Sequence, residues 1–336
     1  MISVVIPLYN KEHTIVSTLN TVINQTYKDF EIIIVNDGST DNGVEVIQQH
    51  FSDQRIRIIN QKNSGVSAAR NRGVIESKGE WIAFLDGDDQ WHSEYLNFVN
   101  QAIIKYPQCG MICTAGLVTN QKNPKAIGYR LANKYINQIL PINFFESPCV
   151  FCHSSGTVIK KNSFQQVNGF PVGRKCCEDY TCTQKVGLIS QVIYIGLPLT
   201  KYIGGVEGQT TSIDRETRFK YLTYVVGYYN DVMHQSLQCE NKPKVFYRYF
   251  TYDIRHRFKG YAVAKDNRSN DYFYNHLSKE NLELLFTFEK YLYRKKLYKC
   301  AILWINFTKV LYRLYRYPIV GQKVDINKIP TQYRIW

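Results

Sequence analysis

The residues best suited to chemistry stand in Trp81–Trp91, which reads W-I-A-F-L-D-G-D-D-Q-W. Asp86, Asp88 and Asp89 put three carboxylates within four positions, and like charges that close repel one another unless something positive sits among them. Gly87 permits a tight turn, so Asp86 and Asp88 can aim at one point. Hard cations such as Mg²⁺ or Mn²⁺ take oxygen ligands and commonly use one or two carboxylates together with substrate phosphates. An isolated D-G-D is ordinarily a solvated turn; what lifts this one is the apolar run that delivers it. An EF-hand loop is excluded, because the glycine and glutamate it needs at later positions are missing. A second acidic pair, Glu178-Asp179, precedes a helical pattern. It either complements the helix dipole or supplies a general base within reach of an acceptor hydroxyl. Asp37, in N-D-G-S-T-D, is either a capping and turn residue or a ligand-binding carboxylate. Gly65 and Arg70, in S-G-V-S-A-A-R-N, read alone as a helix entry and a solvated helical arginine.

These residues need elements to position them. Ile2–Pro7, Phe30–Val35, Ile56–Ile59 and Trp81–Leu85 are largely apolar runs of strand length. Between them lie helical patterns: Ile15, Leu19, Val22 and Ile23, then Val44–Phe51, then the small-residue helix opened by Ser64-Gly65, with Glu94–Tyr106 after the last strand. Such alternation predicts an α/β fold, a mostly parallel sheet covered by helices on both faces. Ligands bind such sheets beyond the carboxyl ends of the strands. Tyr9, Asp37 and Asp86 all lie just past such ends, so one crevice can collect them. After Met111 the pattern loosens, with a strand at Gly156–Ile159 and a short helix capped by Asn162-Ser163. There is no G-x-x-x-x-G-K-[ST] and no G-x-G-x-x-G, so neither phosphate-loop fingerprint is present.

The chain has 336 residues and a net charge of +14, unevenly spread. Residues 216–336 hold 22 Lys and Arg against 10 Asp and Glu, and 17 of the 26 tyrosines, while residues 1–215 are nearly balanced. The break predicts two domains, 1–215 and 216–336, the second basic, Tyr-rich and helical. The amino terminus lacks a basic n-region and a long apolar h-region, so no signal peptide is expected. Nine cysteines, an odd number without an export signal, read as free thiols of a reducing cytoplasm. Cys149-x-x-Cys152 lacks the second pair that a zinc finger needs, which leaves structural zinc the weaker reading.

Together V-V-I-P-L-Y-N, I-I-V-N-D-G-S-T-D, N-S-G-V-S-A-A-R-N-R-G, F-L-D-G-D-D and E-D-Y resemble the ordered motifs of family 2 inverting glycosyltransferases, of the bacterial surface-polysaccharide type, over residues 1 to 215. The resemblance implies a GT-A fold. It implies that Pro7, Tyr9 and Asn10 match the loop that holds the nucleotide base, with Tyr9 stacking on it. Asp37 matches the carboxylate that accepts from the uracil ring, and Gly65 and Arg70 match positions near the nucleotide. Asp86 and Asp88 match the D-x-D that holds Mg²⁺ or Mn²⁺ against the diphosphate, Asp179 the catalytic base and Glu178 its acidic neighbour. The implied partners are a nucleotide-sugar donor, UDP-linked, and a glycan or lipid-linked glycan acceptor. One departure concerns the segment after the base: Lys201-Tyr202-Ile203-Gly204-Gly205 runs to Ser212 without the arginine or histidine of many relatives.

Two competing readings are a nucleotidyltransferase using the same carboxylates and a basic nucleic-acid-binding protein. The first lacks a glycine phosphate loop after strand one; the second lacks any recognised nucleic-acid motif, and no nucleic acid is expected as a partner. Within Lys290–Tyr317, Leu297, Ala301, Trp304 and Ile305 share a helical face, extended by Thr308, Leu311 and Tyr312 and flanked by Lys295, Lys296, Lys299, Lys309, Arg313 and Arg316. Its apolar stretch is too short to span a bilayer. Two readings stand: a basic amphipathic helix lying on an anionic membrane surface, or a helix packing this stripe onto the rest of the molecule. With the first, the protein is cytoplasmic and peripheral on the inner face of the membrane.

Overall fold

The computed structural model describes residues 1–205, 214–313 and 324–336. Strands are β1 (Ile2–Leu8), β2 (Phe30–Asn36), β3 (Ile56–Asn60), β4 (Trp81–Phe84), β5 (Gln90–Trp91), β6 (Met111–Asn120), β7 (Asn123–Arg130), β8 (Ile139–Ile142), β9 (Thr157–Lys160) and β10 (Val192–Gly204). They form one sheet in the order β3-β2-β1-β4-β9-β6-β10-β5, with β7 on β6 and β8 on β10. From β3 to β4 the sheet is parallel, Val4 standing between Ile32 and Ala83. Beyond β4 it is mixed: β9 runs antiparallel to both β4 and β6, and β6 and β10 are parallel to each other.

The apolar runs are strands because both faces are covered. Ile2, Val4, Val5, Ile6 and Leu8 of β1 are all buried, as are Ile32–Val35 of β2. The covering helices are α1 (Ile15–Ile23), α2 (Gly43–His50), α3 (Val66–Glu76) and α4 (Tyr95–Lys105). Helix α3 lies so close to β1 that a Cβ on Gly73 would stand 2.3 Å from Val5 Cγ1. The two longest strands, β6 and β10, lie where the sequence pattern loosens. Polar Thr114 and Thr119 interrupt β6, and β10 carries register shifts around Pro198. Neither strand therefore shows an unbroken apolar run. The Lys201–Gly204 stretch that departs from the family motif is the end of β10; its continuation to Ser212 lies outside the described residues. After β8 come α5 (Pro148–Phe151), a 3-10 turn at Ser154–Gly156, α6 (Lys161–Gln166) and α7 (Glu178–Ile189).

From Arg215 the described chain is helical: α8 (Arg215–Lys220), α9 (Leu222–Gln238), α10 (Phe246–Val263), α11 (Asn267–His276), α12 (Lys279–Glu283), α13 (Thr287–Arg294) and α14 (Tyr298–Arg313). Asp214, Asp266 and Ser278 cap α8, α11 and α12 by accepting from first-turn amides, each such cap stabilising by about 1 kcal/mol. The packing is aromatic. Phe258 stacks on Tyr293 at 4.2 Å, and Tyr229 meets Phe250 and Phe273 at 5.3 and 5.4 Å. Inside this packing lies an ion pair, Arg255 Nε donating to Glu289 Oε1 at 2.6 Å. Arg255 also donates to Thr308 Oγ1, and Glu289 Oε2 accepts from the Phe286 amide at 3.1 Å, so α10, α13 and α14 are tied at one point.

On α14 the residues Ala301, Ile305 and Thr308 are buried and Trp304 is half-buried, so the packing reading describes this side of the stripe. Leu303 and Phe307, on the other side, are 69% and 67% exposed. The side chains of Lys309, Leu311, Tyr312 and Arg313, and all of Arg316, lie outside the described residues. No helix among the described residues is long and apolar enough to cross a membrane.

The helical region packs on the sheet region through α7 and the Phe144–Glu146 turn. Arg174 pairs with Asp231 at 2.6 Å, and Phe145 meets Phe246 edge-on at 5.0 Å. Residues 324–336 then return to the sheet. Tyr333 bonds Glu94 and packs on His92 and Phe98, while the Trp336 indole N–H donates to Pro198 O at 2.9 Å.

Candidate active site

The turn after β4 is pinned from several sides. The Asp89 amide donates to Asp86 O at 3.0 Å, closing the turn. The Asp86 amide donates to Ser155 Oγ at 3.2 Å, and Ser155 Oγ donates to Asp89 Oδ2 at 2.5 Å. Asp89 is buried and also accepts from the Ile203 amide at 3.3 Å. Burial, with Asp86 and Asp88 beside it, pushes its carboxyl well above the ordinary range. Asp89 thus acts as a strut joining the turn to the 3-10 turn and to the end of β10. Asp86 and Asp88 are the other two carboxylates of the turn.

Each of these two already faces a cation of the chain. Arg70 Nη2 donates to Asp86 Oδ1 at 2.6 Å, and Lys11 Nζ to Asp88 Oδ2 at 2.7 Å. Arg70 is not a solvated helical residue: it is 3% exposed on the inner side of α3, with its guanidinium 5.3 Å from the Phe170 ring. Its other arm, Nη1, reaches Glu178 Oε1 at 3.3 Å. Burial opposes the charge of Arg70, but Asp86 and Glu178 hold its pKa above the usual value. One arginine therefore connects the D-G-D turn to the E-D pair, 108 residues apart from Arg70 to Glu178.

Glu178 and Asp179 open α7, and the residue before them, Cys177, has φ of 62°. Few residues with a side chain adopt that conformation; here it turns the chain so that the helix begins on its two carboxylates. Asp179 Oδ1 accepts from the Tyr180 amide at 2.7 Å, and Oδ2 from Ser154 Oγ at 3.5 Å. Burial raises the carboxyl of Asp179, with the positive charge of Arg70 opposing. Burial also raises Glu178, and the charge of Asp179 raises it further. A carboxylate that holds its proton more tightly than usual is a stronger base, as acceptor deprotonation requires.

Asp37 is buried at the end of β2. Its Oδ1 accepts from Gln61 Nε2 at 2.7 Å and from the Ser64 amide at 2.9 Å, and its Oδ2 from the Gly65 amide at 2.8 Å. Gly65 makes that approach at φ of 89°, open to a residue without Cβ. So Asp37 organises the loop ahead of α3, and one of its roughly four lone-pair positions remains for another donor. Asn10, at φ of 52°, accepts from the Thr40 amide at 2.8 Å, and its own amide donates to Ser39 Oγ. Pro7 sits within β1 opposite Val35, and Tyr9 stands 47% exposed beyond the strand. Tyr9, Asp37 and Asp86 follow the ends of the adjacent parallel strands β1, β2 and β4, while Arg70 brings Asp86 together with Glu178. Asp88 joins them through Lys11, from the loop after β1.

Lys11, Gln61, Ser154 and Ser155 carry no local signal that sets them apart from surface residues. Their roles appear only when distant segments meet. His153, beside the serines, is buried with its Nε2 3.0 Å from Thr200 Oγ1, and burial pushes its pKa down to about 3; it is a neutral structural group. All nine cysteines are free thiols. Among the described residues no group of three or more His, Cys, Asp or Glu side chains converges to hold a metal. An ion on Asp86 and Asp88 must therefore draw further ligands from a bound substrate or water. Two hard carboxylates on one turn fit Mg²⁺ or Mn²⁺ in that manner, with Lys11 sharing or leaving Asp88.

Residues 3–167 match the family model described as Glycosyl transferase family 2. Among curated proteins, the chain is 32% identical over 212 residues to Glycosyltransferase GlyA of Streptococcus pneumoniae serotype 4, covering 60% of this chain and 30% of that protein. It is 42% identical over 90 residues to the uncharacterized glycosyltransferase EpsJ of Bacillus subtilis, covering 26% of each. The match thus spans less than a third of either relative's length. Among solved structures, residues 1–349 of S. aureus TarS in complex with UDP-GlcNAc superpose with a TM-score of 0.68 at 16% identity, covering 94% of this chain and 92% of that one. That likeness extends the shared fold through the helical region.

Proposed function

We propose, from the premise that residues 3–167 belong to glycosyl transferase family 2, that the chain transfers a sugar from a nucleotide-sugar donor to a hydroxyl of a glycan or lipid-linked glycan. The observation that carries the reading is the Arg70 bridge between Asp86 and Glu178. It sets a diphosphate-handling turn beside a carboxylate of raised basicity, which is the pairing that glycosyl transfer requires. A UDP-linked donor is supported by the TarS complexes with UDP-GlcNAc and UDP. In this reading Tyr9 stacks on the base, Asp37 spends its remaining lone pair on the uracil N–H, and Arg70 and Lys11 face the phosphates. Asp86 and Asp88 would hold Mg²⁺ or Mn²⁺, which supplies Lewis-acid neutralisation of the departing diphosphate.

Asp179 takes the proton of the acceptor hydroxyl as its oxygen attacks the anomeric carbon. The bond from that carbon to the diphosphate breaks in the same displacement, so the configuration inverts. Cell-surface polysaccharide synthesis (O-antigen, capsule or lipooligosaccharide) is the setting this chemistry suits. Membrane attachment is assigned to the exposed face of α14 and its neighbours: Leu303 and Phe307 with Phe288 and Tyr291, edged by Lys295, Lys296 and Lys299. Aromatic and basic residues together suit the bilayer interface. No observation of the fold favours the nucleotidyltransferase or nucleic-acid readings.

A screen of UDP-sugars with Mn²⁺, reading nucleoside diphosphate release, tests the donor. Asp88→Ala is expected to abolish turnover with the fold intact, and excess EDTA to do the same to the wild type; full activity in EDTA would remove the metal from the scheme. Co-sedimentation with anionic vesicles at low and high salt tests the membrane face.

A further inference from the structure

Arg70 has three carboxylates to serve. It bonds Asp86 and Glu178, and its charge also acts on Asp179. In the proposed reaction Arg70 faces the donor phosphates as well, so Asp179 needs a further positive charge to stay ionised. The sheet supplies one from a strand that no sequence motif marks. Arg130 is the last residue of β7 and pairs with Gly116 of β6, which pairs in turn with Thr200 of β10. Residues directly opposite one another in a sheet place their side chains on the same face.

Gly116 identifies that face. A Cβ built on it would stand 2.5 Å from Thr200 Oγ1 and 3.1 Å from His153 Nε2. His153 therefore lies over the glycine, with the half-buried Arg130 beside it. The next residues after His153 are the 3-10 turn Ser154–Gly156, and Ser154 Oγ donates to Asp179 Oδ2 at 3.5 Å. The row from β10 through β6 to β7 thus ends in a guanidinium on the side of the sheet where Asp179 lies.

The charges agree with this placement. Burial and the charge of Arg130 together push the pKa of His153 down to about 3. Burial raises the carboxyl of Asp179, Asp86 raises it further, and the charges of Arg70 and Arg130 oppose the rise. Glu178, on the same helical turn, is raised by burial and by the charge of Asp179. Phenols and thiols ordinarily titrate well above carboxyls. The charge of Asp179 opposes ionisation of Tyr180 and of Cys152, Cys176, Cys177 and Cys182. The groups that set the charge of Asp179 in the carboxylate range are therefore Glu178, Asp86, Arg70 and Arg130.

We propose that Arg130 is a positioning residue for Asp179, keeping that carboxylate negative from the β7 side while Arg70 serves the donor. The proposal rests on the glycosyltransferase reading for the role of Asp179 as base.

The test uses the full chain and follows UDP release from a UDP-sugar as a function of pH. Removing a nearby positive charge makes a carboxyl hold its proton more tightly. In Arg130→Met the acid limb of kcat is therefore expected to move up by about half a pH unit or more, with the donor KM unchanged. Arg130→Lys should hold the limb near its wild-type position. Should Arg130→Met not fold, Arg130→Gln carries the same expectation. A limb that stays in place, or a loss of kcat equal at every pH, overturns the proposal, since a merely structural arginine gives that pattern. A double-mutant cycle read by chemical denaturation needs no turnover. Near neutral pH, Arg130→Met should cost more stability in the wild-type background than in Asp179→Asn, and the difference should vanish in acid, where Asp179 is protonated. Additive losses at neutral pH also overturn the proposal. Absence of UDP release with every donor would overturn the glycosyltransferase reading, while the cycle would still decide whether Arg130 acts on Asp179.

Discussion

Residues 1–205 hold their functional groups on backbone turns at the ends of apolar strands, whereas residues 214–313 hold theirs on helices packed by aromatic rings. In the first region a carboxylate's position follows from where a strand stops: Asp37 after β2, Asp86 and Asp88 after β4. In the second, position follows from rings on different helices meeting one another: Phe258 on Tyr293, and Tyr229 against Phe250 and Phe273. The first arrangement fixes atoms to within a turn, as bond-making requires. The second rests on side-chain packing, which a change on one helix alters without moving the turn after β4. The difference is one between groups placed by backbone turns and groups placed by packing.

The sharpest way to break this contrast is at Asp179. Asp179→Asn keeps the shape and removes proton acceptance, so kcat is expected to fall by roughly 10²-fold or more while donor binding persists. In the wild type, activity should rise with pH through a value above the ordinary carboxylate range, because burial raises that carboxyl. The same shift fixes the sign for stability. A carboxyl raised in the folded state is ionised at a cost above its folded pKa, and that cost disappears once pH drops below the unfolded value. Asp179→Asn should therefore melt higher than the wild type near neutral pH and equal to it in acid. An Asn variant with normal kcat would move the reacting centre elsewhere.

The next effect belongs to the helical region. Glu289→Ala leaves Arg255 buried without its carboxylate, and breaking such a pair costs about 3 kcal/mol or more. Chemical denaturation should show that loss, with donor binding by the folded fraction unchanged. An equal loss of donor affinity would mean that the two regions do not divide the work. The smallest effect is expected at Leu303→Ser with Phe307→Ser, both on the exposed side of α14. Stability should change within about 0.5 kcal/mol for each, while co-sedimentation with anionic vesicles should fall. Unchanged sedimentation would take the membrane role from this face.

Much of the first region was legible because its first four strands are mostly apolar runs and its motifs are local. Asp86 and Asp88 stand at a strand end that their neighbours reveal, whereas the Glu178-Asp179 pair alone also reads as a complement to the helix dipole and takes its proposed role from the resemblance. Arg70 was placed near the nucleotide by resemblance, but its bridge to Glu178 spans segments that no local pattern relates. Lys11 on Asp88 and Ser155 on Asp89 escaped for the same reason, since a lone lysine or serine in a loop has no signature. β6 and β10 escaped because threonines and a proline break their apolar pattern. In the α14 segment, periodicity identified the stripe and left open which side met protein; tertiary packing buried Ala301, Ile305 and Thr308 and left Leu303 and Phe307 outward.

The return of residues 324–336 to the sheet has a consequence for how the molecule comes into being. The contact of Tyr333 with Glu94 closes a loop of 239 residues, and the entropy of such closure grows with loop length. On the ribosome β5 and α4 emerge long before their last partner does, so His92 and Phe98 stay uncovered until Tyr333 and Trp336 have been made. This edge is sealed only after the helical region has been made. A chain stalled short of Tyr333 would present those rings to chaperones.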